Sequence, residues 1–334
     1  MTSVAPRPPE SRDALGARAL GLVPPAVAAG VALAVSTFFP LAGPLLIALV
    51  LGAIAANTAI SQLSVMRGGA AATKLLLRLG VVLLGLKLPL RDILEIGPGG
   101  VAVVVVTVAV TYFSTIWIGD RLGLDKGLVT LLAAGFSICG AAAIAAVDDA
   151  VRAKQRYVAL ALAMVTIFGS AMIALVPWVG RMIGLSDRQV AIWAGASIHE
   201  VAQVVAAASI VGGSVLGVAM TVKLGRVALL APMYAIASRR GKSAGAAGAP
   251  ILPWFLVGFV LAVAVRSVGV LPHSAVPLIN GATTFLLAAG MFGLGTGIRA
   301  KEIWPVPLNA FLLALASTAV AAGTSLILVA GFTA

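Results

Sequence analysis

Residues 195–207 read Gly-Ala-Ser-Ile-His-Glu-Val-Ala-Gln-Val-Val-Ala-Ala, placing an adjacent His199 and Glu200, with Gln203 one turn on, inside an otherwise apolar run. An ionisable group at bilayer depth is costly, so such a cluster is a functional candidate by default. On one helix Glu200 and Gln203 share a face, and so do His199 and Gln203. The cluster then points roughly one way, into a bundle or cavity rather than at lipid. The competing reading is that Glu200 pairs with a buried Lys or Arg and only locks helices together.

Working outward, the whole chain supports the membrane setting. Of its 334 residues 61% are apolar and 10% charged, and the mean hydropathy is +1.11. A soluble domain carries roughly 25% charged residues, so this is an all-α, polytopic membrane protein. The net charge of +12 does not indicate nucleic acid, because no basic patch with interleaved aromatics occurs. The cations sit mostly in short connections, where they orient a membrane protein. With Cys139 as the single cysteine, a disulfide framework or cysteine-based metal cluster is excluded. The polar, Pro-rich residues 1–24 lack a signal-peptide core and read as a cytoplasmic tail.

A helical span needs about 20 mostly apolar residues. About 10–11 candidates follow, at 25–40, 43–60, 71–89, 99–118, 128–147, 157–178, 189–210, 215–237, 252–270, 278–297 and 306–331. The first two join through Pro40 and Gly43-Pro44 and could form one broken element. If every candidate crosses, the Lys and Arg bias puts the N-terminus in the cytoplasm. That register leaves Lys87, Arg91, Arg152, Lys154, Arg156 and Arg266 outside, and the basic connection 148–156 fits it badly. Residues 238–250 form a Gly/Ala/Ser-rich basic linker, either a hinge or a solvated loop.

Two internal similarities accompany this pattern. Leu77-Arg-Leu-Gly80 resembles Leu287-Ala-Ala-Gly290, on spans predicted to cross in opposite directions. Such a pair is the trace of an inverted repeat, with halves of about 40–180 and 185–334, or a chance likeness between Leu/Gly-rich helices. Ser137-Ile138-Cys139-Gly140 also echoes Ser197-Ile198-His199-Glu200. Those two spans run parallel in this register, which a simple inverted repeat does not explain.

Gly135 to Ala143 (GFSICGAAA) reads either as a helix break or as close packing through small residues. A half-helix starting there would aim free N–H groups and its positive dipole end at an anion, with the Ser137 hydroxyl as a further donor. Cys139 reads as a small buried residue rather than a nucleophile. Lys223 and Arg226 are three apart inside a predicted helix and need partners: Glu200, an anionic substrate, or both. Snorkelling of Lys223 to the surface is the alternative. Gly293, Gly295 and Gly297 alternate at the end of the tenth span and invite a break there. A zinc protease needs a second histidine where Gln203 stands, and the only other one is His273. Neither a metal site, a cofactor nor an enzyme is expected.

From about residue 25 the chain resembles the YeiH-type family of bacterial membrane proteins, described as sulfate exporters. The matching blocks are RLGVVLLGLKL (78–88), SICGAAAIAA (137–146), AGASIHEVAQVVAA (194–207), VKLGRVALLAP (222–232), PWFLVGF (253–259) and TTFLLAAGMFGLGT (283–296). The resemblance implies a relative of the cation–proton antiporter and anion-transporter folds, in the bacterial inner membrane. Inverted repeats and crossing, interrupted helices near the midplane come with that, and homodimers are common among such folds. Its implied activity is coupled transport of a small anion, sulfate first, with sulfonates, organic carboxylates, sodium-coupled import, or an uncoupled channel or sensor as alternatives. In that reading the backbone at Ser137, Cys139 and Gly140, with Lys223 or Arg226, holds the anion. Glu200 answers to protons or cations, oriented by His199 and Gln203.

Overall fold

In the computed structural model residues 21–39, 43–63, 66, 69–241, 253–272, 274–299, 301 and 306–332 are described. Most of the tail, His273 and residues 242–250 of the 238–250 linker lie outside them. The apolar runs become α1 (Val23–Ser36), α2 (Gly43–Ala56), α3 (Gly69–Gly85), the short α4 (Leu90–Glu95), α5 (Gly97–Arg121), α6 (Lys126–Ser137), α7 (Ala141–Val151) and α8 (Gln155–Met182). Then follow α9 (Asp187–Ser197), α10 (Val201–Val211), α11 (Leu216–Ala228), α12 (Leu230–Gly241), α13 (Trp254–Val268), α14 (Ala275–Gly295) and α15 (Leu308–Phe332). The described residues contain no strand. Helix starts follow local chemistry. Gly97-Pro98 opens α5, the Asp125 side chain accepts the Gly127 N–H at 2.8 Å ahead of α6, and Ser186 with Gln189 forms a capping box on α9.

Among the described residues five helical runs are long and apolar enough to cross a bilayer: α5, α8, the α11–α12 run, α14 and α15. Six expected spans are not among them. Those at 25–40, 43–60, 71–89 and 252–270 become helices of 14, 14, 17 and 15 residues. Those at 128–147 and 189–210 each divide in two, and here the structure corrects the sequence reading. The twelve residues of α6 and eleven of α7 each reach only about half the hydrocarbon thickness at about 1.5 Å per residue. They fold back on each other. A side chain at Gly127, near the start of α6, would come within 3.3 Å of Ala153 Cβ, just past α7. The pair is therefore a re-entrant hairpin.

α9 and α10 form a second hairpin, opening at the other end of α8. Val190 of α9 packs on Gly180, and Arg181 donates to the Ile210 carbonyl at the end of α10 (2.9 Å). Since α8 crosses between the two hairpin bases, the hairpins enter from opposite faces and their tips meet midway.

The same reversal settles the basic connection. Residues 148–156 now share a rim with Lys74, through Lys74–Asp149, and with the α5 and α12 ends. Those ends carry the Asp120–Arg240 ion pair, and Asn309 of α15 reaches the Leu122 carbonyl beside them (3.1 Å). Lys126, Arg152, Lys154, Arg156, Arg239 and Arg240 thus collect on one rim. Arg181, Arg188 and Arg266 fall on the other, where Ser267 accepts the Leu90 N–H (2.9 Å).

Two bundles result. One holds α1–α3, α13 and α14; the other holds α5–α12 and α15, with both hairpins at its centre. They touch along α2 against α10 and α3 against α7, and α4 bridges them at the less basic rim. Within the first bundle α3 and α14 run antiparallel. Leu287 fills the notch at Gly80, 2.7 Å from where a side chain there would begin, and Leu77 fills the notch at Gly290. The two Leu-x-x-Gly motifs clasp each other reciprocally.

Gly293 and Gly295 do not break α14. They lie within it and let it approach Thr73 of α3 and Leu49 and Gly52 of α2. Gly297 follows in the turn, its N–H on the Leu294 carbonyl (3.0 Å). Gly135 likewise stays helical and packs on Ile144 and Val165.

Candidate functional site

The repeated Ser-Ile segments become the hairpin tips. Ser137 and Ser197 end α6 and α9; Gly140 and Glu200 are the N-caps of α7 and α10. Because the hairpins enter from opposite faces, the two echoing segments are equivalent positions of oppositely directed units. The parallel register that obscured this was an artefact of counting both hairpins as spans.

Four half-helix ends converge at the tips, and buried charges are sorted among them. The C-terminal, negative ends of α6 and α9 receive the cations. Lys223 Nζ donates to the carbonyls of Ile138 (2.9 Å) and Ile198 (2.7 Å) and to that of His199. Arg226 donates to Ser137 (3.0 Å), Phe136 (2.8 Å), Ala196 (2.6 Å) and Ile198 (3.1 Å). Both side chains have no solvent exposure. All three protons of the ammonium are spent on backbone. The expectation that Lys223 and Arg226 present donors to an anion is therefore corrected: here they tie one hairpin tip to the other. Nor does Lys223 snorkel, because α11 is packed beside α9 and its third turn meets the tips.

The N-terminal, positive ends of α7 and α10 receive Glu200. Its Oε1 accepts the Ala141 N–H of the opposite hairpin at 2.8 Å. Within its own helix it forms a capping box with Gln203, whose amide oxygen accepts the Glu200 N–H at 3.1 Å. Gln203 also donates to the Thr166 carbonyl (3.3 Å) on α8, where the absence of a side chain at Gly169 makes room for it. Gly140 has φ +76°, and a side chain there would overlap the Glu200 carboxylate. No Lys or Arg forms an ion pair with Glu200 among the described residues, which argues against the purely structural pairing.

His199 points elsewhere. Its ring packs edge-on against Phe136 at 4.5 Å, and Nε2 lies 3.1 Å from Thr318 Oγ1 on α15. That hydroxyl already donates to the Ala314 carbonyl (2.9 Å), which assigns the proton to Nε2. His199 thus docks the second tip onto α15 instead of orienting Glu200. Ser137 faces inward, its hydroxyl 3.4 Å from the Ala134 carbonyl.

Beside the tips a narrow cavity of about 20 Å³ is lined by Cys139, Ala142, Glu200 and Val201 from the hairpins and by Leu45, Leu77, Leu84, Leu287 and Met291 from the other bundle. Glu200 is therefore the carboxylate that lines this cavity at the seam between the bundles. Sequence reading missed Asp148 and Asp149, which meet Lys74 across this seam. Two adjacent carboxylates ending an apolar helix oppose its dipole, and that was the available signal.

The family model described as "Conserved hypothetical protein 698" matches residues 20–314. A UPF0324 membrane protein of Corynebacterium glutamicum is 42% identical over 303 residues, covering 89% of this chain and 88% of the relative. This chain belongs to the UPF0324 family. The UPF0324 inner membrane protein YeiH of Escherichia coli K12 is 33% identical over 309 residues, 88% of either chain. A UPF0324 relative from Pseudomonas aeruginosa is 38% identical over 289 residues, 81% of each. No solved structure matches this UPF0324 chain. The YeiH-type resemblance is thereby established as membership, and the protein is a membrane protein.

Proposed function

We propose that this UPF0324 protein is a secondary active carrier of a small anion, with sulfate the leading substrate and Glu200 the proton-responsive group. One observation carries this reading: the unbalanced charge where the hairpin tips meet. Each half-helix end is worth about half a charge, so the two positive ends and two negative ends cancel. Lys223 and Arg226 then stand against Glu200 alone, leaving one buried positive charge. A buried charge without a partner is costly, and an anion relieves it.

The seat of that anion is the pair of helix N-termini at Ala141 and Val201. Glu200 holds this place as a built-in anion. Protonation removes its claim, and the freed N–H groups and the excess positive charge take up the substrate. Proton and anion then move together as the hairpin bundle shifts against the α1–α3, α13, α14 bundle. The thin contact between the bundles supports a motion of this kind. By the positive-inside rule the rim bearing Lys126, Arg152, Lys154, Arg156, Arg239 and Arg240 faces the cytoplasm, with the N-terminal tail.

A second reading is favoured by the five aliphatic side chains that complete the cavity at Glu200. They suit a sulfonate or carboxylate with an apolar portion better than bare sulfate. Flux of labelled sulfate into proteoliposomes, with and without a pH gradient, tests the first reading. Saturable, gradient-driven flux supports it. Absence of flux, with competition by sulfonates or carboxylates for binding, transfers the assignment to those anions.

A further inference from the structure

On the basic rim a cleft of about 660 Å³ opens between the bundles, lined by Lys74, Arg78, Asp149, Arg152, Tyr234 and Trp254 among others. Beneath it lies a void of only about 20 Å³ that shares Lys74, Arg78 and Asp149 with the cleft and adds Leu77 and Ala142. The tip cavity holding Cys139 and Glu200 shares Leu77 and Ala142 in turn. Cleft, void and tip cavity thus follow one another along the seam between α3 and α7. A void of that size has room for about one water, so the route is shut to any larger solute.

We propose that Asp149, clasped by Lys74 and Arg78, is the gate that closes this route. Lys74 and Arg78 sit one turn apart on α3, in the bundle of α1–α3, α13 and α14 (the outer bundle); Asp149 lies in the last turn of α7, the second arm of the first hairpin. Lys74 Nζ is 2.9 Å from one carboxylate oxygen and Arg78 pairs with the other. The neighbouring Asp148 accepts the Ala153 N–H of its own hairpin (3.1 Å) and stands farther from Lys74, at 3.8 Å. Asp149 is the carboxylate that engages both cations of the opposite bundle. The Arg78 guanidinium is braced over the Phe255 ring of α13, 5.7 Å from its centroid, so the cationic side of the clasp is fixed to the outer bundle. All three side chains remain partly exposed, with 47%, 31% and 18% of their surface open for Lys74, Arg78 and Asp149. Ion pairs of that kind are individually weak, which suits a contact that must release repeatedly. The proposal rests on the carrier reading only for what the route conducts.

Cys139, the single cysteine, is buried at the inner end of the route and reports on the gate without any substrate. The experiment measures the rate of N-ethylmaleimide addition to the full-length protein by mass shift, beside its melting temperature. Asp149→Asn should react about fivefold faster, as expected for loss of a partly exposed ion-pair cluster. Asp149→Arg, facing two cations, should react faster still. Adding Arg78→Asp to Asp149→Arg should restore a rate near that of the parent. Unchanged rates in both single variants would overturn the gate. So would acceleration that the double variant fails to reverse, because that marks general loosening. A protein that passes this test yet carries no sulfate has lost the substrate reading and kept the gate.

Discussion

Glu200 and Lys223 are both buried at the hairpin tips, yet they should fail differently when replaced. In Glu200→Gln the amide oxygen can still accept the Ala141 N–H, so folding should persist. What disappears is the group that titrates: flux in proteoliposomes should no longer respond to an imposed pH gradient. Lys223→Met instead takes the ammonium away from the carbonyls of Ile138, Ile198 and His199, of which Ile198 keeps its bond from Arg226. Removing one partner from a buried charged network costs about 3–5 kcal/mol, to be seen as a lowered melting temperature or loss of the folded protein. Gly140→Ala forces a side chain into positive φ and against Glu200, a strain of about 1–3 kcal/mol. Apolar surroundings made Glu200, in the run 195–207, and Lys223 and Arg226, in the predicted span 215–237, conspicuous from sequence alone. Their partners were not legible, because backbone carbonyls carry no sequence signature. Only the folded tips show that the cations are spent on the chain itself.

At the level of helices, the hairpin arrangement makes a sharp claim about sidedness. With Cys139 replaced by Ala, single cysteines at Arg152 and Arg240 should react with an impermeant maleimide from the same face, and one at Arg188 from the other. Eleven full spans would put Arg152 opposite Arg240 instead. Hydropathy could not separate these cases, because two apolar half-helices joined at a three-residue tip have the length and composition of one span. The Leu-x-x-Gly likeness was better evidence, since Leu77, Gly80, Leu287 and Gly290 turned out to interlock. Their clasp predicts that Gly290→Leu, which overpacks the α3–α14 contact, costs about 1–3 kcal/mol. Combining it with Leu77→Gly should recover part of that loss, as chemical denaturation of the single and double variants would reveal.

For the molecule as a whole, the proposed carrier activity requires the two bundles to move past each other. Leu77 on α3 and Ala142 on α7 line the same voids from opposite sides of the seam. Leu77→Cys with Ala142→Cys, in the Cys139→Ala background and joined by a short bifunctional thiol reagent, should stop flux, and a cleavable linker should restore it on reduction. Undiminished flux in the linked protein would show that the bundles need not move. The convergence of the tips also constrains how this protein is made. The first hairpin ends at Val151, but the side chains that fasten it arrive with Lys223 and Arg226 on α11, after the second hairpin has been synthesised. Until then each tip carries unshared carbonyls into the bilayer. A nascent chain stopped short of α11 should therefore remain protease-sensitive in both hairpins, and one extended past it should become resistant in both together.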